Sequence, residues 1–200
     1  MGDKLIRHLA IATVLVTTLS GCVGAVIGGT AASLSLAHHD RRTAGTIVED
    51  QAIELKAYQV LGRDAALDSG SHINVTSYNN AVLLTGEVVS EQLAQRAEDL
   101  IAGIDKVKRV HNELGIGPAS SFASRSADGL VTAKVKANLF RIDGLPDFDA
   151  TRVKVITERG NVYLFGLLRP QEAEAVTSTV RRVGGVQKVI KLFEYLEQTG

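Results

Sequence analysis

Apolar positions along this chain fall into two rhythms, and the same succession of rhythms occurs twice. Ile53, Ala57 and Leu61 recur every four residues within about Asp50 to Arg63, and Val131, Val135 and Leu139 do so within about Asp128 to Ile142. Each series reads as a helix with one buried stripe, and the two stand at a constant offset of 78 (131 − 53, 135 − 57, 139 − 61). After each helix come two alternating runs that read as a β-hairpin. In the first copy these are Ile73-Asn74-Val75-Thr76 and Ala81-Val82-Leu83-Leu84-Thr85-Gly86; in the second, Val153-Lys154-Val155-Ile156 and Val162-Tyr163-Leu164-Phe165-Gly166. The turns fall at Tyr78-Asn79-Asn80 and Glu158-Arg159-Gly160-Asn161.

A second helix follows each glycine. Ser90 and Glu91 open one; Pro170 opens the other, at a first-turn position where its missing N–H costs nothing. Leu93, Ala97, Leu100, Ile101 and Ile104 form the apolar stripe of the first, and Ala173, Val176, Val180 and Val183 that of the second. A β-rich run closes each copy, at 107–114 and 186–193. The predicted unit is α-β-β-α-β, an α+β fold with two helices on a three-stranded mixed sheet, burying one apolar layer. The first unit spans 48–117 and the second 126–200. The Gly-, Pro- and Ser-rich stretch beginning at Gly115 supplies a linker, drawn at 118–125.

The N-terminal rhythm is different. Lys4 and Arg7 precede an unbroken run, Leu9 to Leu19, of the length that engages the secretion machinery. It ends in Leu19-Ser20-Gly21-Cys22, which resembles the bacterial lipobox, whose cysteine is lipidated on sulfur and becomes the mature N-terminus after cleavage. The reading is a signal peptide over 1–21 and a lipidated tether over 22–47. One acyl chain binds a bilayer only marginally, at about 0.8 kcal/mol per buried methylene, and two or more hold stably. A transmembrane helix over Leu5 to Ala37 is the poorer reading, since Gly21, Gly24, Gly28 and Gly29 interrupt it. Val23, not Asp, follows the cysteine, which by that resemblance sends the protein to the outer membrane, facing the periplasm.

Charge changes the picture in one respect. Lys+Arg and Asp+Glu both number 22, yet residues 40–119 hold eight basic and twelve acidic residues (8 − 12 = −4), and residues 120–200 twelve and nine (12 − 9 = +3). The halves therefore suit different partners. Four percent aromatics and no Trp argue against a base-stacking nucleic-acid surface. With Cys22 as the single cysteine, no intramolecular disulfide forms, and no free thiol remains once it is acylated.

Catalytic and metal chemistry find little support. His38 and His39 sit in the tether, and His72 and His111 stand at or in strands without a nucleophile and carboxylate at recognisable spacing. Asp143, Asp147 and Asp149 miss the spacing of a calcium loop, and Pro146 interrupts them. The expectation is no enzyme, no cofactor and no metal.

The strand-Gly-helix step at Gly86 and Gly166, with Gly103-Ile104-Asp105-Lys106-Val107 and Gly185-Val186-Gln187-Lys188-Val189 after the second helices, resembles the BON domain of bacterial periplasmic proteins. A lipobox followed by two such units is similar to the DolP (also called YraP) family of outer-membrane lipoproteins. That resemblance implies binding of anionic phospholipid (phosphatidylglycerol or cardiolipin) through the second domain, placement at the division site, and support of envelope integrity. It also implies a role in outer-membrane-protein assembly; the acidic first half leaves as the alternative a scaffold that meets assembly-machinery or peptidoglycan-associated proteins, and the scarcity of aromatics leaves no nucleic-acid partner expected.

The residues themselves offer a site for lipid. On a wheel of about 100° per residue, Leu130, Ala133, Ala137 and Phe140 cluster away from the packing stripe. Lys134 and Arg141 flank them on one side and Lys136 on the other, as an anionic headgroup layer requires. The equivalents in the first copy are Ala52, Leu55, Gln59 and Gly62, which lack the bulky anchors at both of those two positions. The competing expectation is that Leu130 and Phe140 bury against the first domain.

Overall fold

The computed structural model describes residues 40–68 and 70–196. The signal peptide, Cys22, most of the tether and the His38-His39 pair lie outside them.

The duplicated unit is present, with two boundaries moved. The first helix, α1 (Ala44–Gly62), starts inside the stretch read as tether, because the Thr43 hydroxyl accepts the Thr46 N–H at 3.1 Å and caps it. After a short α2 (Ala65–Asp68) come β1 (His72–Tyr78), β2 (Ala81–Val88), α3 (Glu91–Ala102), β3 (Arg109–Asn112) and a two-residue β4 (Gly115–Ile116). The second copy opens with α4 (Phe122–Leu139), inside the stretch read as linker. There Ser121 caps the helix by accepting the Ser124 N–H at 3.2 Å. A serine that caps and a serine that loops look alike in sequence, so nothing in the sequence places Phe122 in the helix. A 3₁₀ turn (Ala150–Arg152), β5 (Lys154–Glu158), β6 (Asn161–Leu168), α5 (Pro170–Arg181) and β7 (Lys188–Tyr195) complete it.

Each sheet is mixed, as expected. β1 runs antiparallel to β2, while β3 and β4 pair parallel to it; β5 runs antiparallel and β7 parallel to β6. One face of each sheet takes its two long helices. Ile53, Ala57, Val82, Leu84, Ala97 and Ile101 close the first core. Val131, Val135, Leu139, Val162, Leu164, Val176 and Val180 close the second.

Strand alternation leaves the other face of each sheet apolar too, and there the two domains meet. Leu83 of β2 points away from Val82 and Leu84, and Tyr163 and Phe165 of β6 point away from Val162 and Leu164. With Tyr78 these form a third buried cluster. Tyr78 stacks on Phe165 with centroids 5.6 Å apart and 21° between the planes, and His111 meets the Phe165 edge at 6.5 Å. Burial pushes the Tyr78 hydroxyl up to about 12. A polar rim surrounds the cluster: Asn74 donates to Glu158 at 3.0 Å, Lys154 to the Ser77 carbonyl at 3.0 Å, and Asn79 to Glu194 at 2.7 Å. The domains thus dock sheet to sheet, and among the described residues nothing covers the outer faces of their long helices.

One repeated device holds each hairpin to its helix. The buried Asp50 accepts the N–H groups of Asn79 and Asn80, both at 2.8 Å, and the buried Asp128 accepts those of Arg159 and Gly160, also at 2.8 Å. All four turn residues have positive φ, the paired left-handed conformation of a tight two-residue hairpin.

Candidate functional site

The long α4 positions the site. Val131, Val135 and Leu139 are buried against the sheet. On the opposite face, about 170° around the wheel, Leu130 is 65% and Phe140 67% exposed, and Ala133, Lys134, Lys136, Ala137 and Arg141 are all exposed. The seven expected residues therefore lie on one outward surface. The alternative, that Leu130 and Phe140 bury against the first domain, is corrected by the sheet-to-sheet docking: neither touches the interdomain cluster.

An eighth residue belongs with them. Phe122, at the first position of α4, is 79% exposed. Eighteen residues make five whole turns, so Phe122 and Phe140 lie on one line about 27 Å apart, with Leu130 and Ala133 between. Phe122 precedes the apolar stripe, which points to a helix only from about Asp128, so the spacing gives no sign of it. Its signal was Ser121, followed by three residues without a breaker.

Beside this strip the outer wall of α4 turns polar. Lys134, Asn138 and Arg141 face Ser178 and Thr179 of α5, and Arg182, the residue that caps its C-terminus, across an open cleft of about 560 Å³. Asp143 is the one carboxylate on its lining. None of the three cations has an ion-pair partner among the described residues.

The first copy differs in kind. Ala44 and Gly62 stand at the positions of Phe122 and Phe140, at the offset of 78 (122 − 78, 140 − 78), so both aromatic ends are missing. Its α1 is not bare, however: Val48, Leu55 and Tyr58 are exposed, Leu55 by 62%. Tyr58 leans on the β1 backbone, where its hydroxyl accepts the Val75 N–H at 3.3 Å.

Of the other candidates, His72 lies with Nδ1 3.7 Å from the buried Glu87, and His111 packs on Phe165. Asp149 caps the 3₁₀ turn by accepting the Thr151 N–H at 2.8 Å. Among the described residues, no group of three or more His, Cys, Asp or Glu is placed to hold a metal ion, and no helix is long and apolar enough to cross a membrane.

The sheet order and the doubled unit agree with what comparison with known families finds. The BON domain matches residues 49–118 and 127–197. The chain belongs to the BON-domain family and carries that domain twice. It is 39% identical over 192 residues to Outer membrane lipoprotein DolP of Haemophilus influenzae, spanning 96% of this chain and 97% of that one, and so belongs to the DolP family. It is 37% identical over 158 residues to the 21 kDa hemolysin of Actinobacillus pleuropneumoniae, covering 79% and 80% of the two chains. To Osmotically-inducible protein Y of Escherichia coli it is 29% identical over 148 residues, 72% of each chain.

Proposed function

We propose that this protein is an outer-membrane lipoprotein, held by acylated Cys22 and facing the periplasm, whose second BON domain binds anionic phospholipid through α4. Its work is binding rather than catalysis, in support of envelope integrity, with the division site as its place of action. One observation carries the lipid reading: Leu130 and Phe140 are two-thirds exposed on the face of α4 opposite its core, edged by Lys134, Lys136 and Arg141. Apolar side chains on such a face enter the headgroup boundary, and each cation adds about 1 kcal/mol at an anionic surface. Phosphatidylglycerol and cardiolipin supply that charge.

The test uses the chain from residue 22 with Cys22→Ser, so that acylation does not mask the binding. Leu130→Asp and Phe140→Asp keep the melting temperature close to that of the parent and abolish sedimentation with phosphatidylglycerol vesicles; retention of binding in both variants refutes the reading. In cells, Cys22→Ser eliminates incorporation of radiolabelled palmitate.

A second reading concerns the first domain. Val48, Leu55 and Tyr58 form an exposed apolar patch on the more acidic half of the chain, which suits a protein partner such as the outer-membrane assembly machinery. Such a contact forms without lipid, whereas the α4 contact needs it and weakens as salt rises.

A further inference from the structure

The cleft between α4 and α5 adds a second helix to the membrane-facing surface. Lys134, Arg141 and Arg182 converge there against Asp143 alone. Both helices end at this cleft, α4 at Leu139 and α5 at Arg181, and each C-terminus contributes about half a negative charge. Three cations less one carboxylate and two half charges leave about one net positive charge, matching a single phosphodiester. The neutral lining has a polarity of its own. Asn138 donates its amide N–H to the Lys134 carbonyl at 2.8 Å, and Ser178 donates its hydroxyl to the Ala175 carbonyl at 3.0 Å. With its single hydroxyl proton engaged, Ser178 Oγ has only lone pairs left to offer, while Asn138 keeps its Oδ1 lone pairs and a second N–H, and both residues line the cleft. Lys134 and Arg141 also border the Leu130–Phe140 strip, so one molecule can occupy both.

We propose that this cleft is a headgroup site for an anionic glycerophospholipid. Its phosphodiester pairs with Lys134, Arg141 and Arg182, its headgroup hydroxyls donate to Asn138 and Ser178, and its acyl chains lie beside Leu130 and Phe140. This rests on the reading of α4 as the membrane face and makes α5 a partner in it. A zwitterionic headgroup fits less well, because its ammonium meets three cations.

Arg181 is the control: it is the last residue of α5 and precedes the capping Arg182, is exposed, and does not line the cleft. On vesicles of phosphatidylglycerol and phosphatidylcholine, Arg182→Gln weakens binding about fivefold and Arg181→Gln less than about twofold, with both melting temperatures unchanged. Bicelles containing phosphatidylglycerol shift the backbone amides of Ser178, Thr179 and Arg182; purely phosphatidylcholine bicelles do not. Equal losses in the two arginine variants, or silent α5 amides, overturn the cleft while leaving the α4 strip in place. Wild-type protein that ignores phosphatidylglycerol, or binding indifferent to Phe140→Asp, overturns the membrane reading itself. Inorganic phosphate that shifts the same amides at millimolar concentration and is not displaced by vesicles makes the cleft a free-anion site and overturns the lipid assignment.

Discussion

Arg41, ahead of the first domain, forms a two-pronged ion pair with Glu172 of the second, its guanidinium nitrogens 2.6 and 2.7 Å from the two carboxylate oxygens. It also donates to the Leu167 carbonyl at 2.9 Å. Its neighbour Arg42 lies 4.0 Å over the Tyr78 ring and pairs with Asp40 and Asp50. The segment that leads from the tether is therefore strapped across both domains. Burial works to raise the Glu172 carboxyl, but Arg41 and the Arg169 N–H outweigh it and hold it below the usual range.

Breaking that pair from one side leaves a buried charge. Arg41→Ala costs about 3 kcal/mol, while Arg41→Met with Glu172→Gln, which removes the buried charge and keeps an acceptor for the Arg169 N–H, recovers part of the loss. Chemical denaturation of the single and double variants checks this. The carboxyl's lowered value means that its stabilising contribution is full above its ordinary 4.5 and is lost as pH falls below that point. Arg41→Ala flattens this acid limb.

The two hairpin clamps make a matched pair of sites. Asp128→Ala strands the Arg159 and Gly160 amides and lowers stability by about 2–3 kcal/mol, and Asp128→Asn restores part of it. Asp50→Ala costs more, since Asp50 also accepts from Ser77 at 2.6 Å and pairs with Arg42 at 2.8 Å. Thermal melts of the three variants rank them.

Gly86 and Gly166 occupy equivalent strands but unequal spaces. A Cβ on Gly86 falls 1.9 Å from the His72 carbonyl oxygen at a φ of +106°, whereas one on Gly166 meets the Arg152 carbonyl at 3.0 Å with ordinary φ. Gly86→Ala is expected to destabilise by more than about 3 kcal/mol and Gly166→Ala by about 1 kcal/mol. Urea titrations followed by circular dichroism separate them.

Glu158 is buried with Oε1 unpartnered among the described residues, and burial raises its carboxyl above the usual range, helped by Glu87 and Asp128. A raised acid favours the fold when protonated, below about 4.5, and works against it as pH climbs through the raised value. Glu158→Gln accordingly stabilises by about 1–2 kcal/mol at pH 7, with the gain fading toward pH 4.5. A melting series across that range shows the trend or its absence.

Phe122 extends the lipid strip to the start of α4. Phe122→Asp weakens vesicle binding as Phe140→Asp does, without lowering the melting temperature, because its side chain is 79% exposed. Leu55→Asp in the first domain leaves vesicle binding unchanged. The reverse ranking in sedimentation assays assigns the membrane face to α1.

Periodicity alone determined the repeat, the helix stripes and the mixed hairpin-plus-strand order, because a helix or strand buries one face at a fixed spacing whatever surrounds it. The same spacing put Leu130 and Phe140 outside the core. Tertiary structure decided what no local pattern encodes. Leu83, Tyr163 and Phe165 alternate with core residues, and whether that second face meets water or another sheet depends on a partner some 80 residues distant. Asp50 and Asp128 mark no more than approximate helix bounds in the sequence, and the fold sets each beneath its hairpin turn. Arg182 gained meaning beside Lys134 only once α4 and α5 were packed together. Where a residue's neighbours are near in sequence, spacing suffices; where they are brought by docking, only the folded chain can say which charges and rings meet.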